Sequence, residues 1–296
     1  MKTYTPNYYK KFKCIADKCE HSCCIGWEID IDEDTLDFYE AIEGKKLRYI
    51  KDSISYEGTP HFEMLKGDRC PHLLENGLCR IICDFDEGAL CDICADHPRF
   101  RNFYENFTEE GLGLCCEEAA RIILTEEETF CINVDISKAE PEEKRFFSLR
   151  SMVLDILQDR QKMVKERFLA LAQEFGLEFS FTLSDLCQEF LALERLDSSW
   201  TDILEELKNY SFDEKIFEND LQLPLEQLAC YFVFRHLADA QEDENYAQVI
   251  KFILKSCYLL GALWQKGEDM INSARMFSSE VEYSEENIEK VIKEVY

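Results

Sequence analysis

The sequence predicts a mainly α-helical protein, in which an irregular, cysteine-rich N-terminal region with a short β-hairpin precedes an all-helical region. Three observations predict this fold class. Twelve of the fifteen cysteines lie before residue 132, turn-forming residues divide the same stretch into short elements, and apolar residues recur at the helical period from Glu142 onward. We place the cysteine-rich region at 1–135 and the helical domain at 141–296, with Pro141 and residues 140–143 marking the boundary.

Short elements are expected in the cysteine-rich region. Apolar and polar residues alternate through 25–31, which indicates a half-buried strand. Asp32 or Asp34 can then cap a short helix that reaches residue 42. A second short helix is expected at about 117–124, directly after a pair of cysteines.

The hairpin is predicted around Asn-Gly at 76–77, because both turn positions need positive φ. With these two residues as the loop, Leu74 faces Cys79 and the ladder sets Cys70 opposite Cys83. Directly opposed Cβ atoms lie about 4.5–5.5 Å apart. Two sulfurs from this hairpin could therefore reach one ion or cluster.

The helical domain shows long stretches of 3.6-residue periodicity. Its remaining cysteines sit in apolar helical runs, where we expect small buried hydrophobes: Cys187, Cys230 and Cys257. The helical period runs in long stretches through 142–172, and further helices are predicted at roughly these residues: 183–196, 199–210, 222–239, 244–266 and 284–296.

Charge and length limit the function classes. The net charge is −28, from 33 basic and 61 acidic residues, which argues against a nucleic-acid partner and favours positively charged ones. No apolar run approaches the roughly 18 residues of a membrane span, so we expect no membrane partner. The N-terminus lacks the apolar segment of a secretory signal, and we expect a cytoplasmic protein.

The cysteine density predicts a metal or iron–sulfur site. A disulfide framework suits small secreted domains, whereas this chain of 296 residues can bury a core without one. Spacing does not identify the metal, since only Cys91-x-x-Cys94 matches the short pair of a zinc site and no ferredoxin-type run is present. His97 is either a further ligand or a packed residue.

Four ordered blocks carry a family resemblance across roughly residues 8–125: FKCIADKCEHSCCIGWEIDID, CPHLLENGLCRI, HPRF and CCEEAARIIL. Together they resemble the flagellin lysine-N-methylase (FliB-type) family. The chain departs from the family pattern at Glu117, where the pattern has proline, and at His97, where it has an aromatic residue. Neither departure removes a cysteine.

The resemblance implies transfer of methyl groups from S-adenosylmethionine to lysine side chains of flagellin, by a protein that holds an iron–sulfur cluster, 4Fe-4S in type, with zinc as the alternative. Cys83, Cys91 and Cys115 look like extras to the family pattern. The cluster ligands that the pattern implies are Cys14, Cys19, Cys23, Cys24, Cys70, Cys79, Cys94 and Cys116.

The S-adenosylmethionine site is less defined. No strand–GxGxxG–helix unit is present, which disfavours a Rossmann methyltransferase. Trp27, Glu28 and Asp30 could hold the sulfonium through an aromatic face and carboxylates, or they form a strand beside the cluster. No catalytic residue is assigned. A non-catalytic zinc- or iron-binding module is the alternative function, and a redox protein is a weaker third.

Overall fold

The computed structural model of the protein describes residues 2–41, 48–213, 215, 217, 221–241 and 245–293. The chain forms two compact units. We call Lys13–Arg99 the small unit, and Met1–Phe12 together with Phe100–Tyr296 the large unit. These units differ from the predicted regions 1–135 and 141–296, because the sheet and helix that precede residue 135 pack with the later helices.

The fold is mainly α-helical, as predicted. The strands are β1 (Lys2–Tyr4), β2 (Ile54–Ser55), β3 (His61–Phe62), β4 (Arg99–Phe103) and β5 (Phe107–Leu112). The α-helices are α1 (Glu33–Ala41), α2 (Arg48–Lys51), α3 (Arg80–Asp84), α4 (Asp92–Asp96), α5 (Glu117–Leu124), α6 (Pro141–Leu157), α7 (Val164–Glu174), α8 (Leu183–Leu191), α9 (Ser198–Leu207), α10 (Gln222–His236), α11 (Tyr246–Lys266), α12 (Met270–Phe277) and α13 (Glu285–Lys293). Short 3₁₀-helices lie at Tyr9–Lys11, Ala16–Lys18, Glu87–Ala89, Ile136–Lys138 and Ala238–Gln241, and a π-helical turn at Ser278–Glu282.

A three-stranded sheet in the order β1–β5–β4 belongs to the large unit. β1 pairs in parallel with β5, with Lys2 opposite Phe107. The central strand passes close to its neighbours at Gly111, where a Cβ atom would overlap the rings of Phe100 and Phe234. Glycine is therefore required there for the strand to approach the aromatic core.

Helices α10 and α11 form the centre of the large unit. Eleven of the fifteen residues of α10 are buried, and α11 is buried without interruption from Phe252 to Trp264. A helix that carries apolar residues all around its circumference is buried by neighbouring elements on every side. Cys187, Cys230 and Cys257 are fully buried among these helices, which confirms their prediction as core residues.

By length and composition alone, α11 is the one helix in the described parts of the chain that could cross a membrane. Within the fold, 83% of its most apolar window is buried inside the protein, as in the core helix of a globular protein. The expectation that no apolar run approaches membrane length did not anticipate this helix, in which Lys251 and Lys255 stand in an otherwise mostly apolar sequence.

Local signals predicted most helices of the large unit, and the stretch predicted through 142–172 is divided into α6 and α7. α5 spans the predicted residues, and α6 begins at Pro141 with a capping box between Glu140 and Glu143. Several helices end earlier than predicted. Leu193 and Leu237, which the apolar pattern counts as helical, lie in the turns after the helices and are still buried. α12 was not predicted, since eight residues give periodicity little length in which to show.

The predicted helix ends at residues 42, 244 and 294–296 lie outside the described residues. In the small unit, the helix expected after Asp32 is confirmed as α1, and Asp32 Oδ1 accepts the N–H of Thr35 at 2.9 Å. The apolar core of the small unit contains Ile29, Ile31, Tyr39, Ile50, Phe62, Leu73, Ile81 and Ala89, with Cys70 and Cys91.

The strand predicted at 25–31 is not continuous. Isolated bridges join Ile25 to Arg69 and Asp30 to His61. Alternating burial persists only over the second half of this segment, since Ile25 is itself 45% exposed. The only sheet in the described small unit is the antiparallel pair β2–β3.

The turn at 76–77 forms, but its register differs from the prediction. Gly77 has φ of +80° and donates its N–H to the Leu74 carbonyl at 3.0 Å. Leu73, and not Leu74, pairs with Cys79. The loop therefore has three residues, one more than the two-residue loop that was predicted.

Helix α3 ends this short ladder. The chain enters α3 directly after Cys79, so Cys83 lies on a helix and is exposed, whereas Cys70 is buried. The predicted pairing of Cys70 with Cys83 is wrong. The Asn-Gly pair correctly predicts the turn at 76–77. The alternating pattern that suggested a second strand gave no sign that α3 begins directly after Cys79.

Candidate functional site

The fifteen cysteines all lie among the described residues, and no disulfide joins any two of them. Nine belong to the small unit and six to the large unit. In the small unit, Cys70 and Cys91 are buried. Four others are half-buried: Cys19, Cys24, Cys79 and Cys94. The exposed ones are Cys14, Cys23 and Cys83.

Five thiols converge in the core of the small unit, and we call them the thiol core: Cys24, Cys70, Cys79, Cys91 and Cys94. Cys70 interacts electrostatically with all four others. Burial, together with negative charge on Cys24, Cys79 and Cys91, raises the pKa of Cys70 to about 12. Ionised sulfurs in this core would repel one another, and a bound cation would relieve that repulsion.

Cys24 is the most acidic of these thiols. A hydrogen bond from Cys23 lowers the pKa of Cys24 to about 7, against the opposing effect of burial, with help from the Ser22 hydroxyl and the charge of Arg69. The lowered pKa favours the thiolate of Cys24, the form that binds metals.

Cys91 and Cys94 form a second close pair, with 3.7 Å between their sulfurs. Their hydrogen bond lowers the pKa of Cys91 and raises that of Cys94, because a shared proton stabilises one thiolate beside one thiol. The backbone N–H of Cys94 also donates to Cys91. Cys91 thus belongs to the thiol core, although the family pattern treats it as an extra.

Backbone donors point at two further sulfurs. The N–H of His72 donates to Cys70, and the N–H groups of Ile81 and Ile82 donate to Cys79, the residue that precedes α3. Such donors stabilise the thiolate over the thiol. These donors oppose the effect of burial, which still leaves the pKa of both thiols raised.

The donor chemistry of the thiol core fits an iron–sulfur cluster or a zinc ion, both of which take cysteine thiolates. Across the described residues, however, no three His, Cys, Asp or Glu side chains are already arranged around one point as ligands. Ligation requires the thiols to close around the metal, which is expected where metal binding and local folding are coupled.

Four cysteines of the predicted ligand set stand outside the thiol core. Cys23 contacts it through Cys24, and Cys19 donates to the carbonyl of His21 at 3.3 Å. Cys14 is exposed. Cys116 belongs to the large unit, where it directly precedes α5.

A buried polar network supports the turn that carries the paired cysteines of the large unit. Glu282 lies 2.6 Å from His236, 3.2 Å from Arg235 and 3.1 Å from the hydroxyl of Tyr231. The same hydroxyl accepts the N–H of Leu114, the residue just before those cysteines. The network fixes the backbone at this point.

The residues proposed for S-adenosylmethionine follow Cys24 of the thiol core closely in sequence. The indole N–H of Trp27 donates to the carbonyl of Cys23, and its ring packs on His97 with 6.1 Å between centroids. Glu28 and Asp30 are exposed. One aromatic ring and two carboxylates are therefore available on the small unit.

Comparison with known proteins gives an independent view of the chain. It is 25% identical over 234 residues to a protein named Lysine-N-methylase from Salmonella typhimurium, and equally to one from Salmonella choleraesuis. The chain is similar to lysine-N-methylases. The match covers 71% of this chain and 57% of each of those proteins, so the chain spans little more than half their length.

A protein named Flagellar biosynthetic protein FliU, from Salmonella muenchen, is 28% identical over 156 residues, which are 50% of this chain and 86% of that protein. No protein-family model and no solved structure matches the chain. The FliB-type resemblance suspected from four sequence blocks agrees with these relatives.

Proposed function

We propose that this protein transfers methyl groups from S-adenosylmethionine to lysine side chains of flagellin, and that it holds a cysteine-ligated iron–sulfur cluster. The observation that carries the proposal is the similarity to proteins named Lysine-N-methylase over 71% of the chain. Similarity to a protein with a flagellar name supports the flagellar substrate. The thiol core supports the cluster.

Four of the five thiols of the thiol core would hold the cluster, which takes four cysteine thiolates. When bound, an iron–sulfur cluster supplies thiolate-ligated iron whose potential depends on hydrogen bonds to its sulfurs. The backbone N–H groups that already face Cys70 and Cys79 would provide such hydrogen bonds. Zinc remains the alternative metal, since it also takes four thiolates.

Methyl transfer needs a neutral lysine amine aligned with the sulfonium methyl group. The nitrogen–carbon bond forms as the carbon–sulfur bond breaks, and the electron pair of that bond stays on sulfur. The acidic surface attracts the protonated lysine, and a carboxylate takes its proton. We assign Trp27, Glu28 and Asp30 to the sulfonium, through the ring face and the carboxylate charges.

The first test is methyl incorporation from labelled S-adenosylmethionine into flagellin by protein purified without oxygen, with modified lysines located by mass spectrometry. We expect transfer by the wild type and about five- to thirtyfold weaker S-adenosylmethionine binding by Trp27→Ala, as the loss of a cation–π contact of about 1–2 kcal/mol predicts. Phe38→Ala, at an exposed aromatic residue elsewhere in the small unit, is the control. No transfer by metal-loaded wild type would refute the proposal.

A non-catalytic zinc- or iron-binding module is the second candidate, favoured by the thiol core considered alone. It predicts stoichiometric metal without saturable S-adenosylmethionine binding in calorimetry. Metal and S-adenosylmethionine binding together favour the methyltransferase.

A further inference from the structure

A cleft of about 310 Å³ opens in the large unit along α6, α7 and the turn that joins them. Charged side chains from all three segments line it: Asp155, Asp159, Lys162 and Arg167. Cavities of about 300–1,000 Å³ hold small-molecule ligands, so this cleft suits a small one. None of its residues belongs to the sites assigned to the metal or to the sulfonium.

Arg167 brings unused hydrogen-bond donors to this cleft. Its side chain is only 4% exposed. Nε donates to the Lys162 carbonyl at 2.9 Å, and Nη1 donates to the Leu157 carbonyl at 3.0 Å and to Glu226 at 2.5 Å. Nη2 has no partner among the residues that the structure describes. Two of the five N–H donors of a nearly buried guanidinium are therefore left for a ligand.

The charge around Arg167 is also unbalanced. Glu226 accepts from Arg167 and, at 2.7 Å, from Nη2 of Arg160. One carboxylate between two guanidinium groups leaves one net positive charge. Arg160 is largely solvated, whereas Arg167 is nearly buried. A carboxylate bound at Nη2 of Arg167 would balance this charge and accept two parallel hydrogen bonds.

The same cleft carries a free acceptor. Asp155 is exposed, and its carboxylate forms no ion pair or hydrogen bond within the described parts of the chain. Asp159, by contrast, pairs with Lys162 at 2.9 Å, and the positive charge of Arg167 also acts on it. Two carboxylates beside the guanidinium would repel a phosphate dianion. They suit a ligand that carries an ammonium group next to its carboxylate.

We propose that this cleft binds the α-amino acid group of a small ligand. Nη2 of Arg167 donates to the α-carboxylate, and Asp155 accepts from the α-ammonium group. The apolar part of the ligand packs on the remaining lining residues, which are Met152, Ile156 and Ala170. A free amino acid such as methionine carries this group, and so does S-adenosylmethionine. The inference does not rest on the proposed function, because a free amino acid is a sufficient ligand.

The test is calorimetric titration of the full-length protein with L-methionine. Methylthiopropylamine, which lacks the carboxylate, and inorganic phosphate, which lacks the ammonium group, are the comparison ligands. We expect saturable binding of methionine and about ten- to hundredfold weaker binding of the other two, since each loses a charged hydrogen-bond partner.

Three variants locate the binding in the cleft. Asp155→Asn removes the acceptor charge, and Arg167→Lys removes the Nη2 donors, so each should weaken methionine binding about ten- to hundredfold. Ala170→Leu fills the apolar wall and should abolish binding without removing a polar group. Asp202→Asn, at an exposed carboxylate on α9, is the matched control for Asp155→Asn and should bind like the wild type.

Titration with S-adenosylmethionine distinguishes the two sources of the α-amino acid group. If Asp155→Asn and Ala170→Leu weaken binding of S-adenosylmethionine, its amino acid end occupies the cleft. If they weaken only methionine binding, the ligand is the free amino acid. Absence of methyl transfer would refute the proposed function and leave either result standing.

The inference is overturned if neither ligand binds the wild type, or if both bind Asp155→Asn and Ala170→Leu as tightly as the wild type. Phosphate that binds as tightly as methionine would overturn it too. Should Arg167→Lys fail to fold, hydrogen exchange of the wild type still decides the question. Methionine should slow exchange across residues 152–170 and leave α11 unchanged, and equal exchange with and without methionine would contradict binding in the cleft.

Discussion

At the scale of single residues, the thiol core separates cysteines that the family pattern groups together. We expect Cys24→Ser and Cys94→Ser to lower bound metal to background, because each removes a thiolate from the converging set. A metal present at about 1,000 times its Kd stabilises the folded protein by about 4 kcal/mol, so unfolding should become easier by a similar amount. Metal analysis and chemical denaturation without oxygen measure both effects.

Cys14→Ser and Cys257→Ser are the controls for this prediction. Cys14 is exposed, and Cys257 is buried in the large unit, so both variants should keep their metal. Equal metal loss in all four variants would show that the effect is not ligand loss. Retention in Cys94→Ser would remove that residue from the ligand set.

The sequence alone predicts that cysteines form a cluster, but it does not show which cysteines belong to it. Cys91 could have been included, because Cys91-x-x-Cys94 is the only pair in the chain with that short spacing. The separation of Cys14 and Cys116 from the thiol core could not have been predicted, since it depends on burial and on the unit to which each residue belongs. Local spacing predicts pairs of ligands, whereas burial is seen only in three dimensions.

At the scale of elements, the Asp32 carboxylate caps the N-termini of two helices. Its Oδ1 accepts the N–H of Thr35 in α1, and its Oδ2 accepts the N–H of Asp92 at the start of α4, at 2.8 Å. Each cap is worth about 1 kcal/mol, so Asp32→Ala should lower the free energy of unfolding by about 2 kcal/mol. Thermal and denaturant unfolding measure it, with Asp34→Ala, exposed on α1, as the control.

The Asp32 effect should depend on pH. Burial raises the pKa of Asp32, but the N–H donors of Asp92 and Thr35 outweigh it and lower the pKa below its usual value. A carboxyl group whose pKa is lower in the folded state stabilises the fold at pH values above its unfolded-state pKa, which is about 3.9 for Asp. This stabilisation is lost as the pH falls through the folded-state pKa. The difference between wild type and Asp32→Ala should therefore be constant above about pH 5 and shrink below about pH 4. A difference that grows on acidification would contradict the capping role.

Elements with complete local signals were predictable, and those set by distant pairing were not. α5 follows from a short amphipathic run and α6 from a proline with a capping box, all within a few residues. β1 pairs with β5 across much of the chain, and nothing in its three residues announces the pairing. The turn at 76–77 was predicted, but α3 ended the ladder that a strand pattern would extend.

At the scale of the whole molecule, the two units rely on different sources of stability. The large unit has an extensive apolar core around α10 and α11, and its buried carboxylates are paired, as in the two hydrogen bonds of 2.6 and 2.7 Å between Arg150 and Glu109. The small unit has ten residues in its buried core, two of them cysteines. A small apolar core is usually supplemented by metals or disulfides, and none of the cysteines described in this unit forms a disulfide.

Metal removal should therefore affect the two units unequally. We expect chelation to increase backbone amide exchange across Lys13–Arg99, because the thiol core loses the ion that offsets repulsion among its sulfurs. α10 and α11 should keep their protection, since their burial is apolar and independent of thiols in the small unit. Hydrogen exchange read by mass spectrometry resolves both regions in one experiment. Cys70→Ser, which lacks the central thiol, should already exchange like the chelated protein and change little when chelator is added. Equal loss of protection in both units would show that the small unit does not depend on metal separately.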